Sequence, residues 1–279
     1  MLLDPLKRVP AARTLARSTR KLWDDLRPLP RAHYLPNAPN TGGETPVEAF
    51  FPPTISTLAE ASMSRAARDY VRSLLKKMEA SEETEGQDLF YLWGEGRFGE
   101  NWRYADSTTV LCAASMAVRP KAYLEIGVRR GRSVAVVGAL CPDCAIYGFD
   151  LWMADYAGAA NPGPDFVRGE LRNVGHTGEV TLVSGDSRTT VPSFLAQHPG
   201  LFFDVINVDG DHSVAGASRD LANVLPRLKV GGVIVFDDVI SAPALMRVWQ
   251  WFVREDDRYR TWEFTDAGAG IAVAVRVAQ

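Results

Sequence analysis

The amino-acid sequence predicts an α/β fold built on a seven-stranded, mostly parallel sheet with an antiparallel terminal hairpin. After Ala105, short apolar segments alternate with segments of helical periodicity, which is the pattern of repeated β-α-β units. The last two apolar segments are separated only by Asp266-Ala267-Gly268-Ala269. A connection this short forms a hairpin, so the final strand is expected to run antiparallel to its neighbour.

Each element can be placed from its pattern. The seven strands are expected at residues 121–126, 145–149, 179–184, 202–208, 231–236, 259–264 and 270–277. The helix before the fifth of these strands has the clearest period, with an apolar stripe made of Val214, Ala217, Leu221, Leu225 and Leu228. Because glycine commonly ends helices, Gly231-Gly232 is expected to close this one.

Residues 1–32 are predicted to form a basic helical leader, in which eight Lys or Arg residues accompany only three Asp or Glu. Such a composition is typical of a helix on an anionic membrane, of an organellar targeting segment, or of a solvated helix packed on its own domain or on a second subunit. The solvated helix is the simplest interpretation. It leaves a homo-oligomer open and does not require a membrane.

Residues 33–104 are predicted to contain a Pro- and Gly-rich linker, one helix and an aromatic cap segment. The helix is expected from Leu58 to Met78, and the acidic stretch from Glu79 to Gln87 is expected to end it. From Leu89 to Tyr104, glycines interrupt an aromatic-rich run, which predicts either a lid over a ligand or an irregular surface loop. The main domain is expected over residues 105–279.

The composition argues against several classes of partner. A net charge of −3 and a pI near 5.9 provide no basic surface for a nucleic-acid backbone. The chain has three cysteines, no run of eighteen or more apolar residues and no apolar signal segment at its start. These features favour a cytoplasmic protein, and neither nucleic acid nor a membrane is an expected partner.

The turn after the first predicted strand has the features of a ligand site. The strand contains Glu125, the turn contains Gly127 and Gly131, and Ser133 lies in the helix that follows. Glycines let such a turn bend tightly and let a ligand approach the backbone at the carboxyl end of a strand. The G-x-G-x-x-G pattern of dinucleotide sites is absent, and a carboxylate here would repel a pyrophosphate.

Two further acids follow the next two strands. Asp150 ends the second strand, where a carboxylate can accept both hydrogen bonds of a ribose diol, and Asp186 follows the third strand. Together with the glycine turn, this order resembles the S-adenosylmethionine (SAM) site of class I methyltransferases, which have a Rossmann-like fold. The resemblance implies that Gly127 and Gly131 cradle the methionine part of SAM, that Asp150 binds ribose and that Asp186 faces adenine. It also implies that Glu125, Ser133 and Asp209 line the same pocket.

Carboxylates also end the fourth and fifth strands. Asp209 follows the fourth strand and the pair Asp237-Asp238 follows the fifth. Neighbouring parallel strands lie about 5 Å apart, so these acids are expected to converge at one edge of the sheet. Unpaired carboxylates so close together would raise each other's pKa, and a hard divalent cation such as Mg²⁺ would remove that conflict.

This arrangement resembles the metal-dependent small-molecule O-methyltransferases of the catechol, caffeoyl-CoA and macrolide-sugar types. The resemblance implies that Asp209, Asp237 and Asp238 hold Mg²⁺, that His212 is the general base, and that the methyl acceptor is a hydroxylated small molecule. Other interpretations stay open. The acids can cap helices, the histidine can be an ordinary hydrogen-bonded residue, and the protein can be a metal-free N- or C-methyltransferase or a catalytically silent binding protein.

Overall fold

The computed structural model of the protein describes Pro39 and residues 53–154 and 161–279. The basic leader expected over residues 1–32 therefore lies outside the described residues. The seven strands are β1 (Ala122–Ile126), β2 (Ala145–Asp150), β3 (Val180–Ser184), β4 (Phe203–Val208), β5 (Leu228–Phe236), β6 (Tyr259–Phe264) and β7 (Ile271–Arg276).

Helices precede and alternate with these strands. The α-helices are α1 (Ile55–Ser62), α2 (Arg65–Leu75), α3 (Glu82–Phe98), α4 (Ser107–Val118), α5 (Arg132–Leu140), α6 (Pro164–Asn173), α7 (Ser187–Gln197), α8 (Val214–Val224) and α9 (Pro243–Trp249). None of the described helices is long and apolar enough to cross a membrane.

The sheet has the strand order β3-β2-β1-β4-β5-β7-β6. Strands β1 to β5 pair in parallel, whereas β7 runs antiparallel to both β5 and β6. The predicted fold class is therefore confirmed, including the terminal hairpin. Because β1 and β4 are neighbours although two strands separate them in sequence, the direction of the strand order reverses between them, and ligands of open α/β sheets bind at such a point.

The fifth strand begins earlier than expected, and the prediction that Gly231-Gly232 ends a helix is wrong. Both glycines lie inside β5, where the pairing with β4 shifts register between Phe203 and Val205. Gly231 has a φ of 83°, and a Cβ at Gly232 would lie 2.9 Å from the carbonyl oxygen of Asp204. The glycines therefore allow an irregularity in the strand, a role that glycine often has in sheets.

The N-terminal helices also differ from the prediction. The single helix expected from Leu58 to Met78 is interrupted after Ser62, because the side chain of Ser64 accepts a hydrogen bond from the N–H of Ala67 and starts α2. The acidic stretch does not end a helix. It contains Ser81, which forms a capping box with Thr84 at the start of α3.

Helix α3 continues to Phe98, so an irregular loop over residues 89–98 is not observed. A glycine inside a helix costs only about 1 kcal/mol relative to alanine, and packing can offset it. Gly94 shows this, because a Cβ there would overlap the ring of Trp102. Only the segment after Phe98, which begins with a 3-10 turn at Gly99–Asn101, departs from α-helical structure before α4.

The first three described helices pack into the same core as the sheet. Leu58, Val71 and Tyr91 are buried in one apolar cluster with Val134 of α5 and Val235 of β5. Burial of large apolar side chains is the main source of stability in such a core. Helices α1, α2 and α3 therefore share a hydrophobic core with the main domain, and α3 lies close to the turn between β1 and α5.

Candidate active site

A cavity of about 500 Å³ lies at the carboxyl ends of the parallel strands. Its walls come from the turns after β1, β2, β3, β4 and β5, as expected for an open α/β sheet. The predicted site residues that line it are Gly127, Asp150, Asp186, Asp209, His212, Asp237 and Asp238. Glu125, Gly131 and Ser133 were also expected in this pocket and do not line it.

Asp150 holds two turns at the rim of the cavity. Its Oδ2 accepts a hydrogen bond from the N–H of Arg129 at 2.7 Å, and its Oδ1 accepts one from the N–H of Trp152 at 2.6 Å. Both donors have a left-handed backbone, with φ of 52° at Arg129 and 51° at Trp152. A non-glycine residue in this region is strained, so Asp150 stabilises the conformation of both turns.

The two glycines of the turn are needed for packing within the protein. Gly127 has a φ of 91°, and a Cβ there would overlap the carbonyl oxygen of Asp209. Gly131 has a φ of 81°, and a Cβ there would lie 3.0 Å from Val167 of α6. The expectation that Gly131 cradles a ligand is therefore not supported by its position, whereas Gly127 lies in the cavity wall and brings the β1 turn against the end of β4.

Glu125 and Ser133 belong to a buried network instead of the cavity wall. The carboxylate of Glu125 accepts hydrogen bonds from the hydroxyl of Tyr123 at 2.7 Å, from Nδ2 of Asn207 at 3.2 Å and from the hydroxyl of Ser133. The network joins β1, β4 and α5. Burial raises the pKa of Glu125 to about 8, although the hydroxyls of Ser133 and Tyr123 act to lower it.

We expect Glu125→Gln to change how the stability of the protein depends on pH. Glu125 has a pKa of about 8 in the folded protein and an ordinary value of 4.5, so the folded state binds more protons between these values. Its contribution therefore falls as pH rises from 4.5 to 8, by at most about 1.4 kcal/mol per pH unit. Urea unfolding at pH 5 and pH 8 should show a smaller decrease for Glu125→Gln than for the parent.

The exposed Glu85 of α3 provides the control for this measurement. Glu85→Gln removes an equivalent carboxylate without touching the buried network, so its stability should depend on pH as in the parent. An equal pH dependence of the parent and Glu125→Gln would show that Glu125 has an ordinary pKa in the folded protein.

At the other end of the cavity, a histidine lies between two carboxylates. Nε2 of His212 is 3.0 Å from Oδ2 of Asp238 and 3.5 Å from Oδ1 of Asp209. One ligand atom from each of these three residues lies within 4.8 Å of the others, a spacing that could hold a metal ion. Asp237 lines the cavity but is not part of this group, and its Oδ1 accepts the N–H of Asp238 at 2.7 Å.

The electrostatics of this end favour a bound cation. Burial and then the charges of Asp209 and Asp238 raise the pKa of Asp237 well above its ordinary value. Burial also raises the pKa of Asp209, and the charge of Asp238 adds to this effect while the hydrogen bond from His212 opposes it. Burial acts to raise the pKa of Asp238 as well, but hydrogen bonds from His212 and Ser241 lower it. Because these carboxylates repel one another, a hard divalent cation, which prefers oxygen ligands, would offset the repulsion between them.

The alternative that Asp209 caps the following helix does not hold. Ser213 is the N-cap of α8, and its side chain accepts a hydrogen bond from the N–H of Gly216 at 3.0 Å. Asp211 in turn accepts the N–H of Ser213 at 2.8 Å. The side chain of Asp209 is therefore available to the cavity.

Arginines of the cavity wall were missed by the sequence analysis. Arg129 and Arg132 come from the glycine turn and the first residue of α5, and Arg188 forms an ion pair with Asp186. The sequence indicates them by the run Arg129-Arg130-Gly131-Arg132. Three arginines are unusual in a turn whose glycines were expected to let a ligand approach the backbone. The role of these arginines could be assigned only from their contacts with the neighbouring helix α3.

Part of the chain matches a known protein family. Residues 124–239 match a family model described as a methyltransferase domain. No curated protein sequence matches the chain significantly.

Among solved structures, the chain is similar to CalS11, a TDP-rhamnose 3'-O-methyltransferase of calicheamicin biosynthesis. Their identity is 22% over 76% of this chain and 93% of that chain, with a TM-score of 0.48. It is also similar to the O-methyltransferase TomG from Streptomyces achromogenes, with 16% identity, 78% and 99% coverage and a TM-score of 0.52. An O-methyltransferase from Bacillus cereus gives 16% identity, 82% and 94% coverage and a TM-score of 0.47.

At such identities the likeness to TomG shows the fold. The family match begins within β1 and ends just after β5. Residues 124–239 are therefore similar to methyltransferase domains, and the strand order with its antiparallel terminal hairpin is the Rossmann-like fold expected for class I methyltransferases.

Proposed function

We propose that the protein transfers the methyl group of SAM to a hydroxyl oxygen of a small molecule, assisted by Mg²⁺. The observation that carries this proposal is a single cavity with two chemically different ends. Asp150 and Asp186 lie on the walls after β2 and β3, and the cluster of Asp209, His212 and Asp238 lies after β4 and β5.

The first end has the features that a nucleoside needs. The cavity volume of about 500 Å³ falls within the range of small-molecule sites. Phe149 and Leu151 provide apolar surface beside Asp150. Each oxygen of Asp150 accepts one backbone N–H and keeps a further lone pair, so the carboxylate can still accept hydrogen bonds from a ribose diol.

The second end has the groups that are needed to deprotonate the hydroxyl of a methyl acceptor. Asp209, Asp237 and Asp238 would hold Mg²⁺, which when bound lowers the pKa of a nearby hydroxyl and orients it. The imidazole of His212 would accept the hydroxyl proton, and Asp238, whose Oδ2 lies 3.0 Å from Nε2, would stabilise the resulting positive charge.

The geometry also supports a second ligand set. His212 lies with Asp209 and Asp238 in the group of three, in the place where Asp237 was expected. Two carboxylates and one imidazole are ligands that suit Mn²⁺, Fe²⁺ or Zn²⁺ better than Mg²⁺. The two ligand sets differ in the role of His212, which can be tested separately.

A binding and transfer experiment tests the proposal. Calorimetric titration with SAM should give a saturable signal, and incubation with labelled SAM should methylate at least one member of a panel of sugar, polyketide-glycoside and phenol acceptors. EDTA should abolish the transfer and Mg²⁺ should restore it. Absence of SAM binding would favour a silent binding protein, whereas transfer to an amine in the presence of EDTA would favour a metal-free N-methyltransferase.

We expect Asp150→Ala to weaken SAM binding, because two hydrogen bonds to the ribose are lost, each with a net value of about 0.5–1.5 kcal/mol. The variant should also unfold at a lower temperature, since the turns at Arg129 and Trp152 lose the acceptor that stabilises them. Calorimetry and thermal unfolding measure the two effects. Asp165→Ala removes a fully exposed acid at the start of α6 and should change neither. Unchanged SAM affinity in folded Asp150→Ala would remove Asp150 from the binding site.

A further inference from the structure

Arg132 is a cavity residue that the proposed chemistry has not used. It is the first residue of α5, its side chain is 30% exposed, and it lines the cavity. Its Nη1 donates a hydrogen bond to Oε1 of Gln87 at 2.9 Å, and its Nε lies 3.7 Å from the carboxylate of Glu83. Both partners belong to α3, which precedes the residues matched by the methyltransferase family model.

Gln87 is itself fixed in one orientation. Its Nε2 donates to the hydroxyl of Thr108 at 2.8 Å and to that of Tyr91 at 2.9 Å, and Tyr91 donates to Asp106 at 2.5 Å. Since the amide nitrogen points toward these hydroxyls, Oε1 of Gln87 faces Arg132. Tyr91 is fully buried, so this support is part of the core. The guanidinium is thus held in place before any ligand binds, which reduces the entropy that binding must overcome.

The charge of the cavity shows what Arg132 can bind. Six acids line it, namely Asp150, Asp186, Asp209, Asp211, Asp237 and Asp238. Arg188, another arginine of the wall, is already paired with Asp186 at 2.6 Å. Glu83 is shared between Arg132 and Arg129, with Nη2 of Arg129 at 2.8 Å. An anionic group of a ligand would be repelled by the six acids and attracted to Arg129 and Arg132, and of these two arginines Arg129 is the one in close contact with Glu83.

SAM contains one anionic group, the carboxylate of its methionine part. We propose that Arg132, positioned by Gln87 and Glu83 of α3, binds this carboxylate. The proposal rests on the proposed function, because it requires SAM to occupy the cavity. It makes α3 part of the cofactor site although α3 lies outside the matched methyltransferase domain, with Gln87 and Glu83 as positioning residues.

Two nucleoside ligands distinguish carboxylate binding by Arg132 from a general disturbance of the cofactor site by its substitution. S-adenosylhomocysteine carries the amino-acid carboxylate, and 5'-methylthioadenosine lacks the whole amino-acid part. Calorimetry should show that Arg132→Gln weakens binding of S-adenosylhomocysteine by about 10- to 100-fold, the range of a charge-assisted hydrogen bond, and leaves 5'-methylthioadenosine binding unchanged. Arg132→Lys should bind S-adenosylhomocysteine with intermediate affinity, since it retains the charge but not the fork geometry.

Two more variants complete the test. Gln87→Ala should weaken S-adenosylhomocysteine binding by a smaller factor, about 3- to 10-fold, because Arg132 loses its support but not its charge. Arg130→Gln is the matched control, since Arg130 comes from the same turn, stacks on Phe166 at 4.6 Å and does not line the cavity. It should bind both ligands like the parent. Thermal unfolding of each variant confirms that it is folded.

The outcomes distinguish this inference from the proposed function. If the parent binds S-adenosylhomocysteine and folded Arg132→Gln binds it equally well, the role of Arg132 is overturned and the methyltransferase proposal stands. Equal weakening of both ligands would also overturn it, because the effect would not depend on the carboxylate. Failure of the parent to bind either ligand would overturn both proposals.

Discussion

His212→Asn is expected to lower kcat by about 10²–10⁴-fold, the usual effect of removing a general base. The variant retains Asp209 and Asp238, so its affinity for SAM and for Mg²⁺ should stay close to that of the parent. Added Mg²⁺ should not restore its activity, because the missing function is proton acceptance by the imidazole. Single-turnover kinetics with a saturating acceptor measures the effect directly.

Asp209→Asn and Asp238→Asn are expected to behave differently from the histidine variant. Each weakens the metal site by one charged ligand, so activity should fall at low Mg²⁺ and partly recover at high Mg²⁺ by mass action. Asparagine is the suitable replacement at Asp238, because that residue has a φ of 63°, a left-handed conformation that asparagine tolerates. The Mg²⁺ dependence of kcat distinguishes the three variants.

His198→Asn provides the control for this series. His198 is exposed, stacks on Phe194 with ring centroids 4.2 Å apart, and is not among the cavity residues. Its replacement should leave kcat unchanged. Loss of metal affinity in His212→Asn would identify His212 as a ligand together with Asp209 and Asp238, and full activity of the parent in EDTA would contradict the metal assignment altogether.

Gly127→Ala is expected to destabilise the protein by several kcal/mol and to abolish SAM binding. The added Cβ would overlap the carbonyl oxygen of Asp209, and the backbone fixes the positions of both atoms, so neither can rotate away. The φ of 91° adds conformational strain for any residue with a Cβ, of the order of 1–2 kcal/mol. Relief of the overlap requires the β1 turn to move away from the end of β4, which displaces Asp209 from the cluster. Urea unfolding and calorimetry with S-adenosylhomocysteine measure the two losses.

Gly86→Ala is the matched control, because a Cβ there has no neighbouring atom within 4 Å and Gly86 lies in helix α3. Alanine is favoured over glycine in a helix by about 1 kcal/mol, so this variant should be as stable as the parent or slightly more stable. If Gly127→Ala retained the parent's stability and affinity, the contact between the β1 turn and Asp209 would be looser than the structure shows.

The sequence alone determined the class of the fold and the edge of the sheet at which a cavity was to be expected. Periodicity along the chain is a local property, so alternating strands and helices could be read without tertiary contacts, and the short connection near Gly268 required a hairpin. Parallel strands place their carboxyl ends at one edge, which allowed Asp150, Asp209 and Asp238 to be assigned to a common site before their distances were known. Resemblance to a known family then indicated SAM as the cofactor to propose.

Only the tertiary structure decided which groups face the cavity and which are buried beside it. Glu125 and Ser133 follow the expected motif but hydrogen-bond to each other and to Asn207, a residue of another strand. Gln87 and Arg132 are 45 positions apart, and their contact depends on how α3 packs in the core. The periodicity of a sequence predicts which residues lie on the same face of one helix or strand. The contacts between elements depend on side-chain packing in three dimensions, which local periodicity does not contain.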